Sequence, residues 1–276
     1  MIGLLGNHGA PKGPAASYQE KIDAIFKEQG HLASVLGLDY RPQQSQMAES
    51  VASALVGSHN LLFEAGTGVG KSLAYLIPGL IYSIDFERPF VVSTHTISLQ
   101  EQIIQKDLEL CRQLFKGVPE LNAYTGFKSA LLLGKANYCC TTRLDSALKD
   151  VRSDQQSQFQ LLQEKQTLPQ IAEWSQNSTD GILQEINPSP PIDIWEAINA
   201  DSSTCSRKNC SSERCFYQRA KEKIRSANCI VINHSLLFAL INAGMNPQES
   251  EAKGVLLADD FIVLDEAHRV PAIASD

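Results

Sequence analysis

The chain has 276 residues, 43% of them apolar, a formal net charge of −7 and a pI near 5.4. These values describe a globular protein of one or two domains with a real core, and they exclude a histone-like or tail-type nucleic-acid binder that works through bulk positive charge. No apolar run approaches the ~20 residues of a membrane span, no signal-peptide pattern heads the chain, and seven cysteines are too sparse for a disulfide scaffold, so a soluble cytoplasmic protein is expected in which clustered cysteines serve as metal or cluster ligands.

Residues 1–29 read as a flexible lead-in, rich in Gly and Pro at its start, with a mixed helical stretch over about 20–36. Pro42 then sits in the first turn of a helix expected over about 43–56. The apolar run Leu61-Leu62-Phe63-Glu64 predicts a strand, followed by a Gly-rich turn and an apolar helix from Lys71. Phe90 to Thr94 predicts a second strand, 99–115 a second helix, and 122–125 a third strand. Two more apolar strands are expected at 229–233 and 261–265. Short apolar strands separated by helical patterns predict an α/β domain with a mainly parallel sheet. Residues 126–227 break this rhythm with a Gln-rich helical stretch (154–166), a Pro-rich turn (Asn187-Pro188-Ser189-Pro190-Pro191) and most of the cysteines, and read as an insertion of about 100 residues. Charge is segregated within it. Residues 150–200 carry eight acids against two bases, whereas 201–228 carry seven bases against three acids and 126–149 four bases against one acid. An ordinary solvated surface and a nucleic-acid channel both fit that pattern.

Ala65-Gly66-Thr67-Gly68-Val69-Gly70-Lys71-Ser72 matches the phosphate-binding loop G-x-x-x-x-G-K-[ST] with Ala in the first position. Backbone N–H groups of such a loop wrap phosphates at a helix N-terminus, where the helix dipole is positive. Lys71 would reach the β- and γ-phosphates of a nucleotide and the Ser72 hydroxyl would ligate Mg²⁺. Asp265-Glu266-Ala267-His268 follows the apolar run 261–264. A strand ending in acids delivers its carboxylates to the C-terminal edge of the sheet, beside the loop. Asp265 would hold Mg²⁺, largely through water, and Glu266 would orient or deprotonate the attacking water.

These segments resemble superfamily 2 helicases. Asp265-Glu266-Ala267-His268 is similar to their DEAH box and residues 64–72 to their motif I. Ser93-Thr94-His95-Thr96 with Leu99-Gln100-Glu101-Gln102 resembles motif Ia, which in the family touches the DNA backbone. Tyr40-Arg41-Pro42-Gln43-Gln44 resembles the adenine-side motif, where Gln44 would contact the base; a polar residue at a helix start is the alternative.

Cys205, Cys210 and Cys215 form C-x4-C-x4-C, with Cys139-Cys140 upstream. Four thiolates can hold Zn²⁺ or a [4Fe–4S] cluster. The lack of a C-x2-C knuckle fits the iron–sulfur cluster better, and a structural zinc site remains the alternative. The position of these cysteines between motifs Ia and II resembles the DinG- and XPD-type iron–sulfur helicases, as do Gly134-Lys135-Ala136-Asn137-Tyr138-Cys139-Cys140 and Ala227-Asn228-Cys229-Ile230-Val231-Ile232-Asn233-His234-Ser235-Leu236-Leu237. The family's Asn-Tyr-x-Cys spacing selects Cys140 over Cys139, which is a spare thiol or, if the local turn differs from the family's, the alternative ligand. The resemblance implies a RecA-like P-loop lobe over 30–125 and 228–276, interrupted at 126–227 by a mainly α-helical iron–sulfur insertion. It implies cluster ligands Cys140, Cys205, Cys210 and Cys215, the cofactors ATP, Mg²⁺ and [4Fe–4S], and ATP-driven 5′→3′ translocation on single-stranded or forked DNA in DNA repair. Lys128, Lys135, Arg143, Arg207, Lys208, Arg214, Arg219 and Lys221 would then approach the phosphate backbone. Cys111 and Cys229 read as buried small hydrophobes. His234 fits either a strand exit or the DNA path.

In that family a second lobe completes the ATP site with an arginine worth about 10³–10⁵ in rate in related NTPases. The sequence contains neither it nor the arch that follows the DEAH box, so an N-terminal helicase fragment is expected. A P-loop ATPase with a zinc-stapled insertion, and a nucleotide- or DNA-binding fragment without turnover, are the other two readings.

Overall fold

The computed structural model describes residues 2–4, 15–152, 162–201, 205, 213–245 and 261–274. The chain divides into two compact units, one formed by Met1–Leu132 with Ile224–Asp276 and the other by Leu133–Lys223.

The first unit is an α/β sheet structure. Its strands are β1 (Ile2–Leu4), β2 (Phe90–Thr94), β3 (Ser129–Leu131), β4 (Cys229–Asn233) and β5 (Phe261–Leu264), in the spatial order β1-β5-β2-β4-β3. β2 pairs in parallel with both β4 and β5, and β3 in parallel with β4, while β1 runs antiparallel along β5. All five residues of β2 are buried, as a parallel strand covered on both faces requires. The helices are α1 (Ala15–Phe26), α2 (His31–Leu36), α3 (Pro42–Gly57), α4 (Lys71–Asp85), α5 (Ile97–Gln102) and α6 (Leu108–Gly117). α4 is buried along most of its length. Gly79 lets it approach the sheet, since a Cβ there would stand 2.9 Å from the Phe90 ring. Phe90 and Phe261, direct cross-strand partners, stack with ring centroids 5.0 Å apart.

Three expectations are corrected here. The lead-in is structured from Ala15, because Tyr18, Ile22, Ile25 and Phe26 repeat at helical spacing and α1 buries that stripe in the core. The strand expected at 61–64 is reduced to an isolated bridge at Leu61, and Leu62 is 75% exposed. Both edges of β5 are already taken, by β2 and β1, so this apolar run finds no ladder there. Residues 122–124 belong to a 3₁₀ turn (Pro119–Tyr124), with Thr125 as its C-cap, that buries Leu121 and Tyr124, three apart, on one side. The strand that joins the sheet is instead β3, a few residues later, and the sheet unit runs on to Leu132.

The second unit is helical, with α7 (Thr141–Arg152), α8 (Leu162–Asn177), α9 (Ile192–Ile198) and most of α10 (Phe216–Ile224). Its small core holds Leu144, Leu168, Ile171, Ile194, Ile198 and Phe216. The Trp195 indole donates to the Ala136 carbonyl at 2.8 Å, and the Leu133 amide donates to the Tyr138 hydroxyl at 3.1 Å. These bonds satisfy polar groups that a thin core would otherwise leave unpaired. Most of the Gln-rich stretch lies outside the described residues. After β4 the chain enters α11 (His234–Met245), and after β5 it ends in a 3₁₀ turn (Ala267–Arg269) and α12 (Val270–Ile273). Among the described residues no helix is long and apolar enough to cross a membrane.

Candidate nucleotide-binding site

The Gly-rich loop adopts the backbone that its glycines permit. Gly68 and Gly70 have φ of +79° and +87°, a region open to Gly at no steric cost. Gly70 caps α4, so the helix N-terminus points into the loop. The start of α3 braces the loop. The Gln44 amide donates to the Gly70 carbonyl at 2.9 Å, and the Arg41 guanidinium donates to the Gly68 carbonyl. Gln44, expected at the adenine, is thus buried against the Gly-rich loop in this structure.

Beside the loop lies a cleft of about 660 Å³, within the size range of small-ligand pockets. Met47, Val51, Phe63 and Val263 supply apolar wall, and Lys71, Asp265 and Glu266 form the polar end. The structure brings Lys71 and the strand-end acids together. Lys71 Nζ lies 3.3 Å from Glu266 Oε1, and the other Glu266 oxygen lies 3.4 Å from His268 Nδ1. Glu266 itself has a φ of +52°, an uncommon conformation for a side chain with a Cβ and a form of strain that clusters at functional sites.

Asp265 is tied down on every side. Its amide donates to the Ser93 carbonyl at 2.9 Å, and its Oδ1 accepts from the Glu266 amide at 3.0 Å. Its Oδ2 accepts from the Tyr75 hydroxyl at 3.3 Å. Burial raises its pKa from the usual carboxylate range, the Glu266 charge adds to this, and Lys71 opposes it. Its carbonyl accepts from His234 Nε2 at 2.9 Å, while His234 Nδ1 faces the Ser93 hydroxyl at 2.7 Å. His234 is fully buried. It is therefore a strut joining β2, the end of β4 and the acid pair, and not a surface residue on a DNA path. Thr96 caps α5, accepting from the Leu99 amide at 3.3 Å, and the buried Gln100 donates to the Leu132 carbonyl at 3.4 Å. This part of the motif Ia segment braces the sheet.

Tyr75, His234 and Asp107 are the residues that sequence reasoning missed or left undecided. Asp107 had one signal, an acid inside the otherwise apolar helical stripe of Ile103 and Leu108, both of which are buried. The residues present suit a hard divalent cation. Ser72 offers a hydroxyl, Asp265 a half-buried carboxylate, and Asp107 a buried carboxylate whose Oδ2 has no partner among the described residues. Among the described residues no three His, Cys, Asp or Glu side chains form a metal cage. Mg²⁺ takes one or two carboxylates with waters and substrate phosphates, a donor set of the kind that Ser72, Asp265 and Asp107 offer.

The cysteine set is described only in part. Cys140 and Cys205 are half-buried and Cys215 is buried, and the last two both act electrostatically on Tyr217. Cys210 lies outside the described residues, as do Arg207 and Lys208. Cys139 is buried, and desolvation pushes its thiol up to about 12. Cys111 and Cys229 are fully buried, as small apolar side chains would be. Several bases expected on a DNA path have structural partners. Arg143 donates to the Asn199 and Glu196 carbonyls at 2.7 and 2.9 Å, closing the C-terminus of α9. Arg214 pairs with Asp145 at 3.3 Å, and the Arg219 guanidinium lies 4.5 Å from the Phe216 ring centre.

No protein-family profile matches the chain. Among individual proteins it is 31% identical over 262 residues to the ATP-dependent DNA helicase YoaA of Haemophilus influenzae, covering 94% of this chain and 37% of that protein. It is 30% identical over 248 residues to the ATP-dependent DNA helicase DinG of Photobacterium profundum, covering 86% of this chain and 34% of that one. With DinG of Escherichia coli K12 the identity is 32% over 252 residues, covering 86% and 32%. The chain spans about a third of the length of these relatives. Across nearly all of its own length, it is a relative of the DinG and YoaA helicases.

Proposed function

We propose that this chain is the nucleotide-binding N-terminal part of a DinG-like ATP-dependent DNA helicase, with a RecA-like lobe interrupted by an iron–sulfur insertion. The observation that carries this reading is the meeting of Lys71 and Glu266 at 3.3 Å, at the N-terminus of α4, next to a nucleotide-sized cleft. The loop amides of 66–72 and Lys71 would hold the phosphates of ATP, with Gln44 keeping the loop in shape. Ser72 and Asp265 would hold Mg²⁺, which neutralises charge on the phosphate oxygens when bound. Glu266 would orient the attacking water and take its proton, and Asp265 is kept in place for this by Tyr75, His234 and the sheet. Cys140, Cys205, Cys210 and Cys215 would ligate a [4Fe–4S] cluster, and single-stranded or forked DNA would be the track for 5′→3′ movement.

The test has two parts. MgATP binding by the purified chain, lost in Lys71→Ala, supports the nucleotide site; equal binding by both proteins overturns it. Anaerobic purification decides the insertion. Iron with inorganic sulfide supports the cluster, and stoichiometric zinc replaces it with a zinc staple.

A further inference from the structure

Asp107 belongs to neither nucleotide motif. It ends a π-helical turn (Ile103–Asp107) between α5 and α6, in which the Leu108 amide bonds to the Ile103 carbonyl five residues back. Such widened turns are rare and recur at functional sites. The extra residue lets Asp107 and Leu108 both face inward, at 6% and 1% exposure.

Burying a carboxylate is costly unless it is paired, and this one is under-satisfied. The Ser72 and Gln102 side chains stand beside it and favour its charged form, while its Oδ2 is without a hydrogen-bond partner among the described residues. Its electrostatic neighbours include Asp265, a second anion, and Lys106 on its own turn. Tyr75 joins the same group, its hydroxyl donating to Asp265 at 3.3 Å with Ser72 beside it. A buried carboxylate, Asp107, and a half-buried one, Asp265, therefore flank the residue whose hydroxyl is expected on the metal. A hard cation carrying water is the chemistry that satisfies both, since it neutralises the anions and its water can donate to a free oxygen.

We propose that Asp107 is a further acid of the Mg²⁺ site, a positioning residue that holds the Ser72 hydroxyl in its ligating orientation and receives a hydrogen bond from metal-bound water at Oδ2. The assignment depends on the nucleotide reading of the cleft. Its test is the Mg²⁺ dependence of ATP binding by the full chain, repeated with Mn²⁺ as a paramagnetic probe. Asp107→Asn is expected to need about tenfold more Mg²⁺ for half-maximal ATP binding, and to bind ATP in EDTA as the wild type does. In the Ser72→Ala background the same change is expected to add little, because the two side chains act as a unit. An unchanged Mg²⁺ requirement, or an equal loss with and without metal, overturns the proposal. So does a lower melting temperature for Asp107→Asn, because the carboxylate would then be serving the fold. If the wild type binds no MgATP, the reading of the cleft fails and this assignment fails with it; if it binds and Asp107→Asn responds like wild type, only this assignment fails.

Discussion

His234 donates from Nε2 to the main-chain carbonyl of Asp265 at 2.9 Å. A carbonyl can only accept, so Nε2 carries the proton, and Nδ1 accepts from the Ser93 hydroxyl. Burial lowers the His234 pKa from its usual ~6.5, with the nearby His95 acting in the same direction and the bond to Asp265 opposing. A depressed folded-state pKa contributes stability above the ordinary value, and that stability is lost as pH falls through the folded one. The wild-type melting temperature is therefore expected to drop between about pH 7 and 5. His234→Gln keeps a donor for Asp265 but cannot titrate, and should flatten part of that drop. His234→Ala leaves the carbonyl unpaired and should cost about 1–3 kcal/mol at neutral pH. Thermal melts across this range check both.

Asp265 carries the opposite sign. Its folded-state pKa is raised, chiefly by burial, so its contribution to stability is present below the ordinary ~3.9 and is lost as pH rises through the folded value. At neutral pH the charge is a net cost to the fold. Asp265→Asn is expected to raise the melting temperature while removing the Mg²⁺ dependence of ATP binding. A lower melting temperature would show that hydrogen bonds to the ionised carboxylate outweigh its desolvation.

The glycines of the phosphate loop should differ sharply. Alanine at Gly70 is placed at φ of +87° and drives its Cβ into the Gln44 amide. It is expected to cost about 1–2 kcal/mol from backbone strain alone and to abolish nucleotide binding. Alanine at Gly66 meets only the far end of Val69, 4.0 Å away, at an ordinary φ, and should melt like the wild type. Alanine at Gly79 strikes the Phe90 ring at 2.9 Å. It should lose about 1–3 kcal/mol through overpacking, with nucleotide affinity retained in the folded fraction.

The adjacent cysteines offer a clean discrimination. Cys139 is buried with its thiol pushed up to about 12, while Cys140 is half-buried. Thiolate is the form that ligates metal. Cys140→Ser is expected to abolish bound iron in anaerobically purified protein, and Cys139→Ala to leave it. Iron lost only in Cys139→Ala would reverse the assignment.

Local patterns and tertiary contacts contributed differently to what was legible. The loop at 65–72 and the acids after β5 could be read directly, because their conformations are encoded by contiguous residues: glycines where φ is positive, and acids after an apolar run. The run at 61–64 predicts a strand that the structure reduces to a bridge at Leu61. Its apolarity is real, but a strand needs a free edge, and β1 and β2 occupy both sides of β5. α1 begins a few residues before the helical stretch expected from about residue 20, because its apolar stripe starts at Tyr18, directly after a Gly- and Pro-rich segment.

The sequence by itself carried the Gly-rich loop, the acids that follow β5, the α/β alternation and the kinship with DinG-type helicases, since each rests on short-range order or on residue identity. The tertiary structure alone decided that His234 is an internal strut, that Tyr75 holds Asp265 from 190 residues away, and that Asp107 lies buried beside Ser72. Those contacts join residues that no local pattern links. They form only when the sheet brings the ends of β2, β4 and β5 together and α4 packs across them.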